Sequence, residues 1–221
     1  MHRSAFLRFA ALALLALLPA LGWAQLLPAP VAGQHYQLID GGQPYRPLDG
    51  KIEVVEVFAY ACGHCAHFQP LVNAWKSKLP ADVRFSYVPL PVSRDDAFAR
   101  GFFAVADAGR LARVHDALFT AVHDQQSVPK NPTSAELAAF YAKRGLDGKK
   151  IQAAMDSPAM ADRLAQAYRF AARNQVPGTP ALVVNGRYLI LGDSYQALLQ
   201  NADRLIVWLR VQNAASKPSS R

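Results

Sequence analysis

The chain carries two cysteines, and they stand in one tetrapeptide, Cys62-Gly63-His64-Cys65. Thiols at that spacing can close a small ring and hand it on, because thiolate attack on a disulfide sulfur is how such bonds are made and exchanged. As a staple the pair would do little. A bridge over a four-residue loop removes about 2 kcal/mol of unfolded-chain entropy, against about 5 kcal/mol for a loop of about a hundred residues. A chain using its single bridge for stability would close a longer loop, so the spacing points to redox chemistry. A free thiol, with a pKa of about 8.5, is only a few per cent ionised at neutral pH, so an attacking cysteine must be made acidic. If a helix opens here, Cys62 faces unpaired backbone N–H groups and the positive end of the helix dipole. The dipole contributes about 0.3–2 kcal/mol, and one pKa unit is about 1.4 kcal/mol. A larger shift needs direct hydrogen bonds to the sulfur, with His64, placed between the two thiols, as an electrostatic tuner. Cys65, one turn further in, is expected to be buried and less acidic. Cys62 is therefore the expected nucleophile and Cys65 the resolving thiol.

The elements around this tetrapeptide must hold it in place. Ile52–Tyr60 is a β-branched and aromatic run that reads as a strand buried on both faces. A helix is expected from Cys62 to about Lys78, and Val83–Val88 is a second strand. From Ser93 the apolar period lengthens to that of helices. Ser93, Asp95 and Asp96 mark one start and Gly109 its stop; Leu111, Val114, Leu118 and Val122 form the next stripe. Thr133 to Glu136 is a capping box, and Ser157-Pro158 reads as a cap with proline at the first helical position of a helix to about Arg173. Ala181–Val184 and Arg187–Leu191, joined by Asn185-Gly186, read as a type I′ hairpin. Ser194 caps a last helix to about Arg210. His35–Ile39 is a short candidate strand. Cys65 and Pro180 are 115 positions apart, whereas one helix, one strand and one crossover helix take about 40. The order is that of an α/β domain with an all-helical insertion. Its expected organisation is an α/β unit over 25–92 and 174–212, an insertion over 93–173 and a loose tail over 213–221.

Glu56 lies six positions before Cys62, inside the apolar strand. A charged residue in a central strand is costly unless paired or protonated. The plain reading is a strand near the sheet edge with Glu56 solvated.

Residues 1–24 set the compartment. Arg3 and Arg8 precede the apolar run Phe9 to Leu18, and Gly22-Trp23-Ala24 offers small residues at a cleavage site, the pattern of a secretory signal peptide. Pro19 and Gly22 break the run short of the roughly 18–20 residues that a membrane span needs. The expected location is an oxidising space, a bacterial periplasm, where disulfides persist. With 52% hydrophobic residues the chain is neither disordered nor low in complexity. The formal charge is +8 from 24 basic and 16 acidic side chains. Arg3 and Arg8 leave with the leader, and the remaining basic residues are scattered, so a solvated surface is read and no nucleic-acid partner is expected. Four ligands at Cys62, His64, Cys65 and His67 cannot easily surround a tetrahedral metal ion. Ala66 stands where a haem-attachment motif requires histidine. His35, His115 and His123 show no partners in the sequence and read as structural or exposed.

Phe58-Ala59-Tyr60-Ala61-Cys62-Gly63-His64-Cys65, together with Val176-Pro177-Gly178-Thr179-Pro180 leading into Ala181–Gly186, resembles the DsbA family of periplasmic thiol:disulfide oxidoreductases. The likeness covers nearly the whole chain after the leader. It implies a thioredoxin-like fold, a central mixed β-sheet flanked by helices, interrupted by the helical insertion. It implies a cis peptide before Pro180, and a peptide-binding edge at Thr179 and Pro180. Thioredoxin-like proteins place an acid at the position of Glu56, beneath the buried cysteine, which implies a proton relay for Cys65 as the alternative to a solvated edge. The implied activity is disulfide donation to reduced exported proteins by a monomer, with no cofactor beyond the Cys62–Cys65 disulfide and re-oxidation by a DsbB-type membrane quinone reductase. The DsbA type case has Pro-His between its cysteines; here Gly63 replaces proline, keeps a backbone N–H and leaves oxidising strength open. A disulfide isomerase or reductase of the same fold is the nearest alternative, and a non-catalytic peptide-binding chaperone a more distant one.

Overall fold

The computed structural model describes residues 28–215. The leader read over residues 1–24 lies outside them, as do residues 216–221. The strands are β1 (Tyr36–Leu38), β2 (Ile52–Phe58), β3 (Val83–Pro89), β4 (Ala181–Val184) and β5 (Tyr188–Ile190). The helices are α1 (Gly63–Lys76), α2 (Ala97–Asp107), α3 (Leu111–His123), α4 (Ser134–Ala142), α5 (Gly148–Met155), α6 (Ala159–Arg173) and α7 (Tyr195–Ala215). One mixed sheet runs in the order β1-β5-β4-β2-β3. β2 is parallel to β3 and antiparallel to β4, so it is an interior strand with both edges paired.

Every residue of β2 is buried, because the sheet is covered on both faces. Ile52, Val54, Leu182, Val184 and Ile190 pack with Phe68 and Val72 of α1 and with Ala202, Leu205 and Leu209 of α7. Val55, Val57, Val183 and Leu189 belong to the cluster that runs on into Phe102, Phe103, Leu118, Leu137 and Leu164 of the inserted helices. Each fully buried side chain of this size contributes about 1.5–3 kcal/mol, so sheet and insertion share one apolar interior. Helices α2 to α6 all lie between β3 and β4.

The local signals explain most boundaries. Asp96 caps α2, its Oδ1 accepting from Ala99 N at 3.0 Å. Thr133 and Glu136 form the reciprocal capping box of α4. Asn185 and Gly186 take φ of +50° and +61° in the β4–β5 turn. Beyond shifts of a few residues at other element ends, such as β2 stopping at Phe58 short of Tyr60, three features differ from the sequence reading. Ser157 does not cap α6: its hydroxyl donates to Ala154 O at 2.8 Å, back into the last turn of α5, and Pro158 takes the cap position. Helix α5 was absent from the sequence reading because it buries only Ile151 and Met155 over two turns; Asp147 caps it. Helix α7 runs to Ala215 rather than Arg210, so Asn213, Ala214 and Ala215 are helical and not part of a loose tail. No Gly or Pro follows Arg210 until Pro218, and these residues tolerate a helix.

Candidate active site

β2 ends at Phe58 and α1 begins at Gly63, so Cys62 sits at the N-cap with extended backbone. Its Sγ accepts from Cys65 N at 3.4 Å, satisfying one of the first-turn donors that a helix leaves unpaired. The second wall comes from the loop before β4. Cys62 Sγ donates to Thr179 O at 3.3 Å, and the Thr179–Pro180 peptide is cis. Both cysteines are present as free thiols.

The two sulfurs are unlike. Cys62 is half-buried, and burial pulls its pKa up. Hydrogen bonding from the Thr179 side chain, the Cys65 backbone and thiol, and the His64 backbone outweighs that and leaves it below the ordinary thiol value. Cys65 is fully buried, and burial drives its thiol well above the ordinary range, hydrogen bonds from Ala59 and Thr179 only reducing the rise. The His64 backbone acts on Cys62, and its imidazole Nδ1 lies 3.0 Å from Tyr195 Oη. Gly63 has open space where a Cβ would lie.

Glu56 is fully buried in an interior strand, which excludes the solvated-edge reading. Neither carboxyl oxygen has a hydrogen-bond partner among the described residues. Burial pushes its pKa up to about 8, with Lys76 pulling the other way. Around it lies a polar cluster on the side of α1 and α3. Lys76 Nζ donates to Tyr87 Oη at 2.7 Å. Gln69 Nε2 donates to Tyr87 Oη and to Asp116 Oδ1, both at 2.9 Å. Lys76, Tyr87, His115 and Asp116 line a cavity of about 440 Å³.

His115, read as structural or exposed, is buried among Phe58, Tyr60, Phe102 and Phe119 and pairs with Tyr60 Oη at 2.6 Å. Burial lowers its pKa to about 3, so it is neutral. His123 Nε2 lies 2.7 Å from Tyr60 O, bracing the segment just before the cysteines. Sequence reasoning missed Glu53, a second buried acid of β2. It accepts from Tyr45 N at 2.7 Å and Arg84 Nη2 at 2.9 Å, and its backbone is bonded to Asn185. Two acids three positions apart in one apolar run were the available signal. Tyr195 was missed for want of any local mark. Among the described residues no three His, Cys, Asp or Glu side chains are grouped to hold a metal.

The comparisons with known proteins agree with this geometry. Residues 94–202 match the family model described as the DSBA-like thioredoxin domain. The thiol:disulfide interchange protein DsbA of Burkholderia cepacia is 34% identical over 178 residues, 79% of this chain and 82% of that protein. Its counterpart in Pseudomonas aeruginosa strain PAO1 is 35% identical over 177 residues, 80% of this chain and 82% of that protein. The crystal structure of the oxidoreductase DsbA from Xylella fastidiosa superposes with a TM-score of 0.79 at 40% identity, over 82% of this chain and 98% of that one. That of Pseudomonas aeruginosa DsbA gives 0.76 at 34%, over 85% and 97%. With its paired cysteines at the end of an interior strand of a thioredoxin-like sheet, the chain belongs to the DsbA family of thiol:disulfide oxidoreductases.

Proposed function

We propose that the protein is a periplasmic dithiol oxidase that gives its Cys62–Cys65 disulfide to reduced, newly exported proteins. The observation that carries the direction is the asymmetry of the two sulfurs: one half-exposed and acidic, the other buried and held as a thiol. A substrate thiolate attacks Cys62 Sγ, the Cys62–Cys65 bond breaks, and Cys65 leaves and takes a proton. A second substrate thiolate then attacks the substrate sulfur of the mixed disulfide. Cys62 departs as a thiolate that its hydrogen bonds favour, and two electrons have passed to the enzyme. The segment at Thr179 and Pro180 presents backbone groups to an extended substrate in the manner of an added strand. A DsbB-type membrane quinone reductase restores the disulfide, and no other cofactor is needed.

Glu56 supplies the proton that Cys65 requires. Its carboxyl, raised to about 8 by burial, suits an acid working near neutral pH. A relay through solvent fits two oxygens that have no hydrogen-bond partner among the described residues. His64 favours the Cys62 thiolate through its backbone N–H.

Equilibration with glutathione buffers, together with oxidation of a reduced two-cysteine peptide, tests the reading. Cys62→Ser is expected to abolish turnover, and Cys65→Ser to accumulate a mixed disulfide at residue 62. A Cys62 that titrates like an ordinary thiol, in a protein that stays oxidised against reduced glutathione, would overturn it.

A further inference from the structure

Ala59, Tyr60, Ala61 and Cys62 form the turn that carries the chain from β2 into α1, closed by Cys62 N donating to Ala59 O at 3.1 Å. That bond leaves the carbonyl of the central peptide, Tyr60 O, to find a donor elsewhere. His123 Nε2 supplies it at 2.7 Å. A carbonyl oxygen has no proton to give, so Nε2 carries the hydrogen. Helix α3 fixes that donor in place. His123 is its last residue and stacks on Phe119, with centroids 6.3 Å apart and planes at 28°. Beyond it, Ser127 N and Val128 N both donate back to Ala121 O. The same helix holds the Tyr60 side chain: the hydroxyl meets His115 Nδ1 at 2.6 Å, and the ring lies 4.9 Å from that of Phe119. Two histidines of one inserted helix therefore grip the residue two positions before Cys62, one by its main chain and one by its side chain.

We propose that His123 is a positioning residue of the redox site: its Nε2–H holds the central peptide of the Ala59–Cys62 turn in one orientation and thereby keeps Cys62 Sγ at the N-cap of α1. The inference rests on the reading of Cys62 as the attacking sulfur. The sign of the effect follows from the geometry. Cys62 N closes the turn, and Cys62 Sγ accepts from Cys65 N at 3.4 Å, so one residue is both the end of the turn and the cap of the helix. Tyr60 is buried, and a buried carbonyl that loses its donor is driven towards another. A cavity of about 310 Å³ bordered by Ala59, Tyr60 and Ala61 gives it room to find water. Turning the Tyr60–Ala61 peptide towards a new donor shifts the closure at Cys62. A sulfur that moves off the helix end loses N–H donors, and lost donors disfavour the thiolate. Release of the turn therefore weakens the oxidant. The inserted helices thus contribute a hydrogen bond to a site whose cysteines they do not carry.

His123→Phe keeps a ring beside Phe119 and removes the donor, whereas His123→Gln returns an N–H at similar reach. In the reduced protein, thiolate absorbance at residue 62 followed against pH should show a higher pKa in His123→Phe than in the parent. Its equilibrium constant for oxidising glutathione should fall at least about threefold, half a pKa unit. His123→Gln should bring both quantities back towards the parent values. The proposal is overturned if His123→Phe leaves both unchanged or lowers the pKa. It is overturned equally if His123→Gln is as impaired as His123→Phe, which would assign the effect to packing of the ring. Should His123→Phe not fold, His123→Met, apolar and adaptable, takes its place in the same comparison. An ordinary titration of Cys62 in the parent protein defeats the oxidase reading instead, so the two failures are distinguishable.

Discussion

Cys62 and Cys65 are the same residue type three positions apart, and their surroundings drive them in opposite directions. One lies where a helix leaves N–H groups unpaired; the other faces only apolar packing and a few hydrogen bonds. Glu56 obeys the same physics as Cys65, since each is a neutral acid whose anion burial disfavours. Burial favours its neutral form, and its carboxyl is raised from 4.5 to about 8. A carboxyl whose value rises on folding contributes full stability below its unfolded value and loses it as pH climbs through the folded one. Wild-type stability should therefore decline between pH 5 and 8 from this group, by about 1.4 kcal/mol per pH unit until the folded value is reached. In Glu56→Gln that slope should disappear in urea titrations across the range, and mixed disulfides with substrate should form more slowly. An unaltered slope would mean that the acid is ionised in the native state, and unaltered formation of the mixed disulfide at every pH would remove the relay.

At the scale of elements, the β4–β5 turn shows how a short sequence signal governs distant geometry. Gly186 takes a φ of +61°, and a Cβ there would lie 1.9 Å from Gln43 C. Gly186→Ala should cost about 2 kcal/mol or more, read as a lower urea midpoint. Because β4 follows Pro180, it should also loosen the loop that carries Thr179. Asn-Gly between two β-branched runs made this hairpin legible, as did the Thr133–Glu136 box and the Asp96 cap, since each signal is contained within a few residues. The CxxC and its place at a helix start were legible for the same reason, whereas the Thr179-Pro180 segment was read only through the family resemblance. The surroundings of Glu56 were not. Lys76, Gln69, Tyr87 and Asp116 come from α1, β3 and α3, and nothing in any one of those segments marks them as neighbours of an acid in β2. Ser157 misled because a hydroxyl between two helices can serve either, and here it closes the earlier one.

Across the whole molecule, the interior that begins at Val55, Val57 and Phe58 continues without a break into the inserted helices. The insertion and the sheet are thus expected to unfold together, with far- and near-ultraviolet circular dichroism giving one coincident transition. Redox state should move that transition. The Cys62 pKa is lowered on folding, so the thiolate's contribution is greatest above the ordinary thiol value and is lost as pH falls through the folded one. Reduced protein should melt above oxidised protein at pH 7, and the gap should close as pH drops; an oxidised form that melts higher at pH 7 would contradict disulfide donation. The bond between Cys62 and Thr179 O spans 117 positions, with six helices between the partners. A chain that emerges from its N-terminus shows both cysteines to the surroundings long before the segment that must close over them has been delivered. Competence is therefore acquired only with the final third of the polypeptide, and until then the protein is a pair of unguarded thiols, no different from the clients it will later oxidise.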